Sequence, residues 1–143
     1  MHNALAYNRT DAAVDVIVGT GVDLCEVDRI KKAITSPHGR RLVERVFTPR
    51  EIAYSERKAN PYERYAARFA AKEAGMKALG TGWRGLGFRE IVVGRERSGK
   101  PTLLFTGSAK ARAESMGVFQ AEVTITHTAQ MAAAVVALLC RPK

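Results

Sequence analysis

The amino-acid sequence predicts an α+β fold in which helices pack against a small antiparallel sheet. Apolar residues recur at helical spacing between residues 26 and 79, and short apolar runs bounded by turn residues lie on either side of that segment. A chain of 143 residues is long enough for one domain and too short for two independent cores. We therefore expect a mobile N-terminal tail at residues 1–15 and a single domain at residues 16–143.

The first strand and the first helix follow the tail directly. β-branched residues interrupted by glycines predict a strand from Val16 to Leu24, with Asp23 near its end. An apolar stripe with i, i+3 and i+7 spacing then begins at Val27 and predicts a short helix that ends near Ser36.

Three further helices are predicted before residue 80. The second spans residues 39–47, and the third begins at Thr48, where Glu51 completes a capping box. The longest spans residues 62–79, because it is rich in alanine and is followed by the glycines of residues 80–82.

The remaining elements are two strand pairs and one helix. Each strand pair consists of two apolar runs joined by a short turn, which predicts antiparallel pairing. The expected elements are strands at 88–93 and 102–105, a helix at 108–116, and strands at 121–126 and 131–139.

The chain is strongly basic, with a net charge of +9 and a pI near 10.0, so it attracts anions. The segment 29–50 concentrates this charge, with Glu44 as its single acid. A solvated helical face is one explanation and an anion-docking surface is another. Phe47 is the only aromatic residue there, whereas proteins that bind single-stranded nucleic acid stack bases on aromatic side chains. We therefore favour an acidic protein partner over nucleic acid.

Cysteine usage and hydropathy predict a cytoplasmic protein without a membrane partner. Cys25 and Cys140 show no paired spacing and are expected to be reduced. The N-terminal residues lack the apolar run of a signal peptide. The longest apolar run, residues 131–140, is too short to span a bilayer.

Two carboxylates are candidates for a metal site. Glu73 and Lys77 lie one helical turn apart on a partly apolar side of the longest helix, although an ordinary surface ion pair has the same spacing. Asp23 is either a cap for the following helix or a ligand. Gly19 and Gly21 share its face of the strand and would leave space for a ligand, so the two carboxylates could bind Mg²⁺.

His127 is a third candidate, in the segment TITHT. It is either a hydrogen-bonded core histidine at a strand end or a donor to a phosphate oxygen. A lone histidine favours the first of these.

Four segments in this order resemble the holo-acyl-carrier-protein synthase group of phosphopantetheinyl transferases. The resemblance covers nearly everything from Val16 onward. The segments are GTGVDLCEVDRI at 19–30, RFAAKEAGMKALGTG at 68–82, SGKP at 98–101 and VTITHT at 123–128.

The resemblance implies a Mg²⁺-dependent enzyme of fatty acid and lipid metabolism. Such an enzyme transfers 4′-phosphopantetheine from coenzyme A to a serine of an apo acyl carrier protein and releases adenosine 3′,5′-bisphosphate. The resemblance leaves open whether Glu73 or a metal-bound water is the general base.

The resemblance also implies roles for individual residues. The Mg²⁺ ligands would be Asp23 and Glu73, and the catalytic residues would be Glu73, Lys77 and His127. The coenzyme A site would comprise Lys72, Lys77, His127, Gly99, Lys100 and Pro101. The surface that docks the carrier protein would comprise Arg29, with Arg40, Arg41 and Arg45 as its neighbours.

The resemblance further implies a homotrimer with active sites at the subunit interfaces. His127 would then face Asp23 of a neighbouring protomer. Larger relatives have a second acid two residues after the aspartate, where this chain has Cys25, a poor ligand for Mg²⁺.

Overall fold

The computed structural model describes residues 14–82 and 85–142. Residues 1–13, which make up most of the predicted tail, lie outside the described residues. The helices and strands are β1 (Val16–Glu26), α1 (Val27–Thr35), α2 (Gly39–Val46), α3 (Pro49–Ser55), α4 (Tyr62–Leu79), β2 (Ile91–Arg95), β3 (Pro101–Phe105), α5 (Gly107–Ser115), β4 (Val118–His127) and β5 (Met131–Cys140).

The predicted α+β class is confirmed, with one local correction. Residues 88–90 were expected to begin a strand but form a short 3₁₀ helix. Glu90 stabilises this turn, because its Oε2 accepts a hydrogen bond from the Gly87 backbone N–H at 3.3 Å and another from the Ala109 N–H at 3.2 Å. Strand β2 therefore begins at Ile91.

The strands form two antiparallel sheets. The larger has the order β1-β5-β4, and the smaller pairs β2 with β3. Both predicted hairpins are present, and the central position of β5 explains its nearly continuous apolar sequence. Asp23 on β1 is opposite Ala134 of β5, and His127 on β4 is opposite Ala132.

Helix α4 packs across β1 and β5 through small residues, among them the buried Ala71, Ala74 and Ala78. A Cβ atom at Gly21 would lie 1.9 Å from the Ala74 carbonyl oxygen, and one at Gly19 would lie 2.2 Å from that of Ala78. The prediction that these glycines leave space for a ligand is therefore wrong, because the helix backbone occupies that space.

The sheet face that turns away from α4 is apolar and exposed. Alternate residues of β1 and β5 project from it, with Leu24 67% and Val22 57% exposed. Val135, which pairs with Val22, and Met131 extend the same face. Among the described residues, no helix combines the length and hydropathy needed to cross a membrane.

Candidate active site

Asp23 lies on the side of β1 that faces α4 and is 9% exposed. The Lys77 ammonium donates hydrogen bonds to Asp23 Oδ1 at 3.0 Å and to the Val22 carbonyl oxygen at 2.9 Å. Lys77 thus forms its ion pair across the helix–strand interface with Asp23, and Glu73 lies one turn before Lys77 on α4. We call these three side chains the acid flank of α4.

Glu73 precedes Lys77 by one helical turn and is half-buried. Burial raises the pKa of Glu73, and the charge and hydrogen-bond contact of Asp23 raise it further. Lys77 and Arg29 act in the opposite direction without cancelling the increase. A cation bound beside Glu73 would favour the ionised form of its carboxyl group.

The acid flank fits a small divalent cation. Mg²⁺ is typically held by one or two carboxylates, with phosphate oxygens and waters completing its coordination. Within residues 14–82 and 85–142, no cluster of three or more His, Cys, Asp or Glu side chains could hold a metal, so these residues would supply two ligands. Burial, followed by the charges of Asp23 and Glu73, raises the pKa of Cys25 to about 11. A neutral thiol is a poor ligand for Mg²⁺.

A cavity of about 300 Å³ opens on the other side of α4. It is bounded by α3, α4, the β2–β3 hairpin and the end of β4. The predicted residues Gly99, Pro101 and His127 line it. Lys100 does not, because its ammonium pairs with Glu122 Oε2 at 3.1 Å. We call this cavity the basic pocket, since four cationic side chains also line it: Lys58, Arg64, Arg68 and Arg95.

Sequence reasoning missed the cluster at the centre of the basic pocket. The guanidinium carbons of Arg68, Arg64 and Arg95 lie 3.8, 4.2 and 5.3 Å from the centroid of the Tyr54 ring. Burial alone would raise the pKa of Tyr54, but these three positive charges lower it below its ordinary value. Arg68 is 6% exposed, and among the residues that the structure describes its Nε has no hydrogen-bond partner, so this buried donor is left to bind an acceptor from outside.

The prediction that Lys72 contacts coenzyme A phosphates is wrong. Its side chain is completely buried, and its ammonium lies 2.8 Å from Glu51 Oε1. It also donates hydrogen bonds to the carbonyl oxygens of Phe88 at 2.9 Å and Ile91 at 2.6 Å. A lysine with these three partners in the core has no ammonium proton left for a ligand.

Helix α4 separates the acid flank from the basic pocket within one chain. Asp23 and His127 lie on the same face of the sheet but on opposite edge strands, with β5 between them. Asp23, Glu73 and Lys77 do not line the basic pocket. The structure therefore brings the predicted metal ligands together with Lys77 but leaves His127 on the far side of α4.

The four arginines of the expected docking surface are all exposed. Arg29 is near the acid flank, because its positive charge partly opposes the rise in the pKa of both Cys25 and Glu73. Arg40 is already neutralised by Glu44 at 3.1 Å and Glu56 at 3.0 Å. Arg29 is thus the arginine of this set with electrostatic contact to the acid flank.

The chain belongs to the 4′-phosphopantetheinyl transferase superfamily, because the model of that family matches residues 19–136. It is 57% identical to the holo-[acyl-carrier-protein] synthase of Solibacter usitatus, over 86% of this chain and 98% of that protein. It is 48% identical to the protein of the same name from Koribacter versatilis, with the same coverage of both chains.

Solved structures agree with this assignment. The fold matches the holo-[acyl-carrier-protein] synthase of Neisseria meningitidis with a TM-score of 0.78 and 31% identity, over 86% of this chain and 98% of that one. It also matches the Helicobacter pylori synthase in complex with coenzyme A, with a TM-score of 0.73 and 28% identity, over 83% and 98% of the two chains.

Proposed function

We propose that this protein transfers the 4′-phosphopantetheine arm of coenzyme A to a serine of an acyl carrier protein and releases adenosine 3′,5′-bisphosphate. The observation that carries the proposal is the pairing of Asp23 and Glu73 next to the Lys77 ammonium in a member of this superfamily. Two relatives that this chain matches over nearly their whole length are named for this activity. We expect a cytoplasmic enzyme, and its acceptor would be a carrier protein of fatty acid or polyketide synthesis.

Asp23 and Glu73 would hold Mg²⁺. The ion would supply positive charge that neutralises the pyrophosphate of coenzyme A. Lys77 adds a second positive group beside it. The serine proton would go either to Glu73 or to a water in this site.

The basic pocket would receive the nucleotide end of coenzyme A. Its cationic side chains match the phosphates of that group, and Gly99 and Pro101 line the same pocket. His127 would donate a hydrogen bond to a phosphate oxygen. Lys100 would join this site if its ammonium exchanged Glu122 for a phosphate.

A homotrimer would unite the two halves of the site. The acid flank borders the β1 edge of the sheet and the basic pocket borders the β4 edge, so a head-to-tail ring would place one against the other. His127 of one protomer would then face Asp23 of the next. The exposed apolar face of β1 and β5 favours such an assembly, because a partner subunit could bury it.

The carrier protein would dock on Arg29 and its basic neighbours Arg40, Arg41 and Arg45. The positive charge of Arg29, Arg41 and Arg45 suits an acidic partner, whereas Arg40 would first have to exchange Glu44 and Glu56 for that partner.

Mass spectrometry of the carrier tests the proposal. The protein is incubated with coenzyme A, Mg²⁺ and an apo acyl carrier protein, with a parallel reaction containing excess chelator. We expect the carrier to gain one phosphopantetheine in the first reaction and not in the second. An unmodified carrier in both reactions, with several carriers tried, would contradict the transferase activity.

A further inference from the structure

Two oppositely charged side chains that the proposed reaction does not use lie buried beside the basic pocket. Glu51 is 2% exposed and Lys72 is fully buried. Glu51 belongs to the first turn of α3, and Lys72 lies in the middle of α4. Their contact at 2.8 Å joins the two helices inside the protein.

Hydrogen bonds satisfy this pair on both sides. Glu51 Oε1 accepts from the Thr48 backbone N–H at 2.8 Å, and its Oε2 accepts from the Val93 N–H at 2.9 Å. The Lys72 ammonium also donates hydrogen bonds to the carbonyl oxygens of Phe88 and Ile91. The pair therefore fixes α3, α4 and strand β2 to one another through side-chain contacts.

These three elements are also walls of the basic pocket. Tyr54 lies three residues after Glu51 on α3, and Arg68 lies one turn before Lys72 on α4. Val93, which donates to Glu51, lines the pocket itself. If α3 moved relative to α4, the distance of 3.8 Å between the Arg68 guanidinium and the Tyr54 ring would change.

Stability alone is a weak explanation for such a pair. Moving two charges out of water costs so much that apolar residues of similar volume are often as stabilising as a buried ion pair. Directional contacts fix geometry in a way that apolar packing does not.

We propose that Glu51 and Lys72 are positioning residues that hold the basic pocket in the shape that binds the nucleotide of coenzyme A. They set the affinity for coenzyme A and leave the chemical step to the acid flank. This inference rests on the proposed transferase function, and it extends that function to two buried residues that do not line the basic pocket.

The test uses two variants of the full chain. Glu51→Gln/Lys72→Met removes both charges while keeping the side-chain lengths close to the originals, and Glu51→Asp keeps both charges but shortens the carboxylate. We expect the first to raise the KM for coenzyme A about tenfold with kcat within about twofold of wild type, since small displacements of binding groups have large effects. Glu51→Asp should raise this KM by about threefold.

Two further readouts separate positioning from a general loss of stability. Calorimetric titration with coenzyme A alone should show weaker binding in proportion to the KM, while the KM for the carrier protein stays unchanged. Leu138→Ala serves as the control, because Leu138 is fully buried in β5 and does not line the pocket. It should lower the denaturation midpoint and leave coenzyme A binding at the wild-type value.

Each outcome has a defined meaning. Wild-type coenzyme A affinity in a folded Glu51→Gln/Lys72→Met variant overturns the proposal, and so does a fall in kcat at unchanged KM. Loss of the folded state in both variants also overturns it, because the pair would then serve the fold alone. Absence of transfer by the wild-type protein refutes the proposed function instead, and coenzyme A titration still tests the pocket.

Discussion

The two sides of helix α4 differ in how they are built. The acid flank consists of three side chains from two adjacent elements, and its central contact joins Lys77 to Asp23 at 3.0 Å. The basic pocket draws on five elements that lie far apart in the sequence. One side is a compact charged cluster suited to chemistry, whereas the other is an extended cationic surface suited to holding a ligand.

The largest expected effect is on the acid flank. Asp23→Ala and Glu73→Ala should each lower kcat by at least about a thousandfold, because each removes one of two carboxylates for the metal. Circular dichroism should show an intact fold. Near-wild-type turnover by either variant at limiting Mg²⁺ would contradict the assignment of the metal ligands.

The approach of α4 to β1 is the next feature to test. Gly21→Ala should destabilise the protein by about 3 kcal/mol, because overpacking forces the backbone to move. The new Cβ would otherwise lie 1.9 Å from the Ala74 carbonyl oxygen. Urea denaturation measures the change.

Gly87→Ala provides the matched control for Gly21→Ala. Its φ of −86° is open to any residue, and a Cβ there would make contacts of 3.7 Å or more. It should leave the free energy of unfolding within about 0.5 kcal/mol of wild type. Equal free energies of unfolding for the two variants would contradict the close approach of the α4 and β1 backbones.

The contrast between the two sides also explains what the sequence could predict. Local spacing singled out Asp23, Glu73 and Lys77 but left open a helix cap and a surface ion pair, and the family resemblance was needed to predict a metal site there. The role of Lys72 could not be predicted, since its partner Glu51 is on another helix and helical periodicity does not show which partner a buried charge finds. The cluster around Tyr54 was missed for the same reason.

The fold could be predicted further than the site. Capping residues and alternating patterns define their elements locally, and both hairpins were found in this way. The pairing of β1 with β5 depends on contacts across the whole chain, so periodicity alone did not predict it. The sequence correctly predicted that the glycines of β1 share one face. It did not show that a helix packs against that face, because a close-packed helix and a bound ligand both require small residues.

Arg29 offers a test of intermediate size. Arg29→Glu should raise the KM for the carrier protein by about tenfold and leave the KM for coenzyme A nearly unchanged, because a docking charge acts on one substrate. Lys110→Glu on α5 makes the same charge change away from both sides of α4. A larger effect on coenzyme A than on carrier would show that the docking surface is misassigned.

The smallest effect concerns pH. Because the pKa of Glu73 is raised in the folded state, the folded protein binds a proton more tightly than the unfolded chain does. Without metal, the stability from this group is full below the unfolded pKa of 4.5 and declines as pH rises through the raised value. Glu73→Gln should remove this decline in denaturation curves taken in chelator, and an unchanged pH profile would contradict the raised pKa of Glu73.

Complementation between two inactive variants tests most directly whether the acid flank and the basic pocket form one site. Asp23→Ala and His127→Ala would be co-expressed with different tags and purified as mixed assemblies. In a ring of three, every mixed assembly contains one interface with both residues intact, so transfer to the carrier should recover to about one third of the wild-type rate. Recovery near that value is the predicted result, and mixed assemblies as inactive as the parent variants would contradict the shared site.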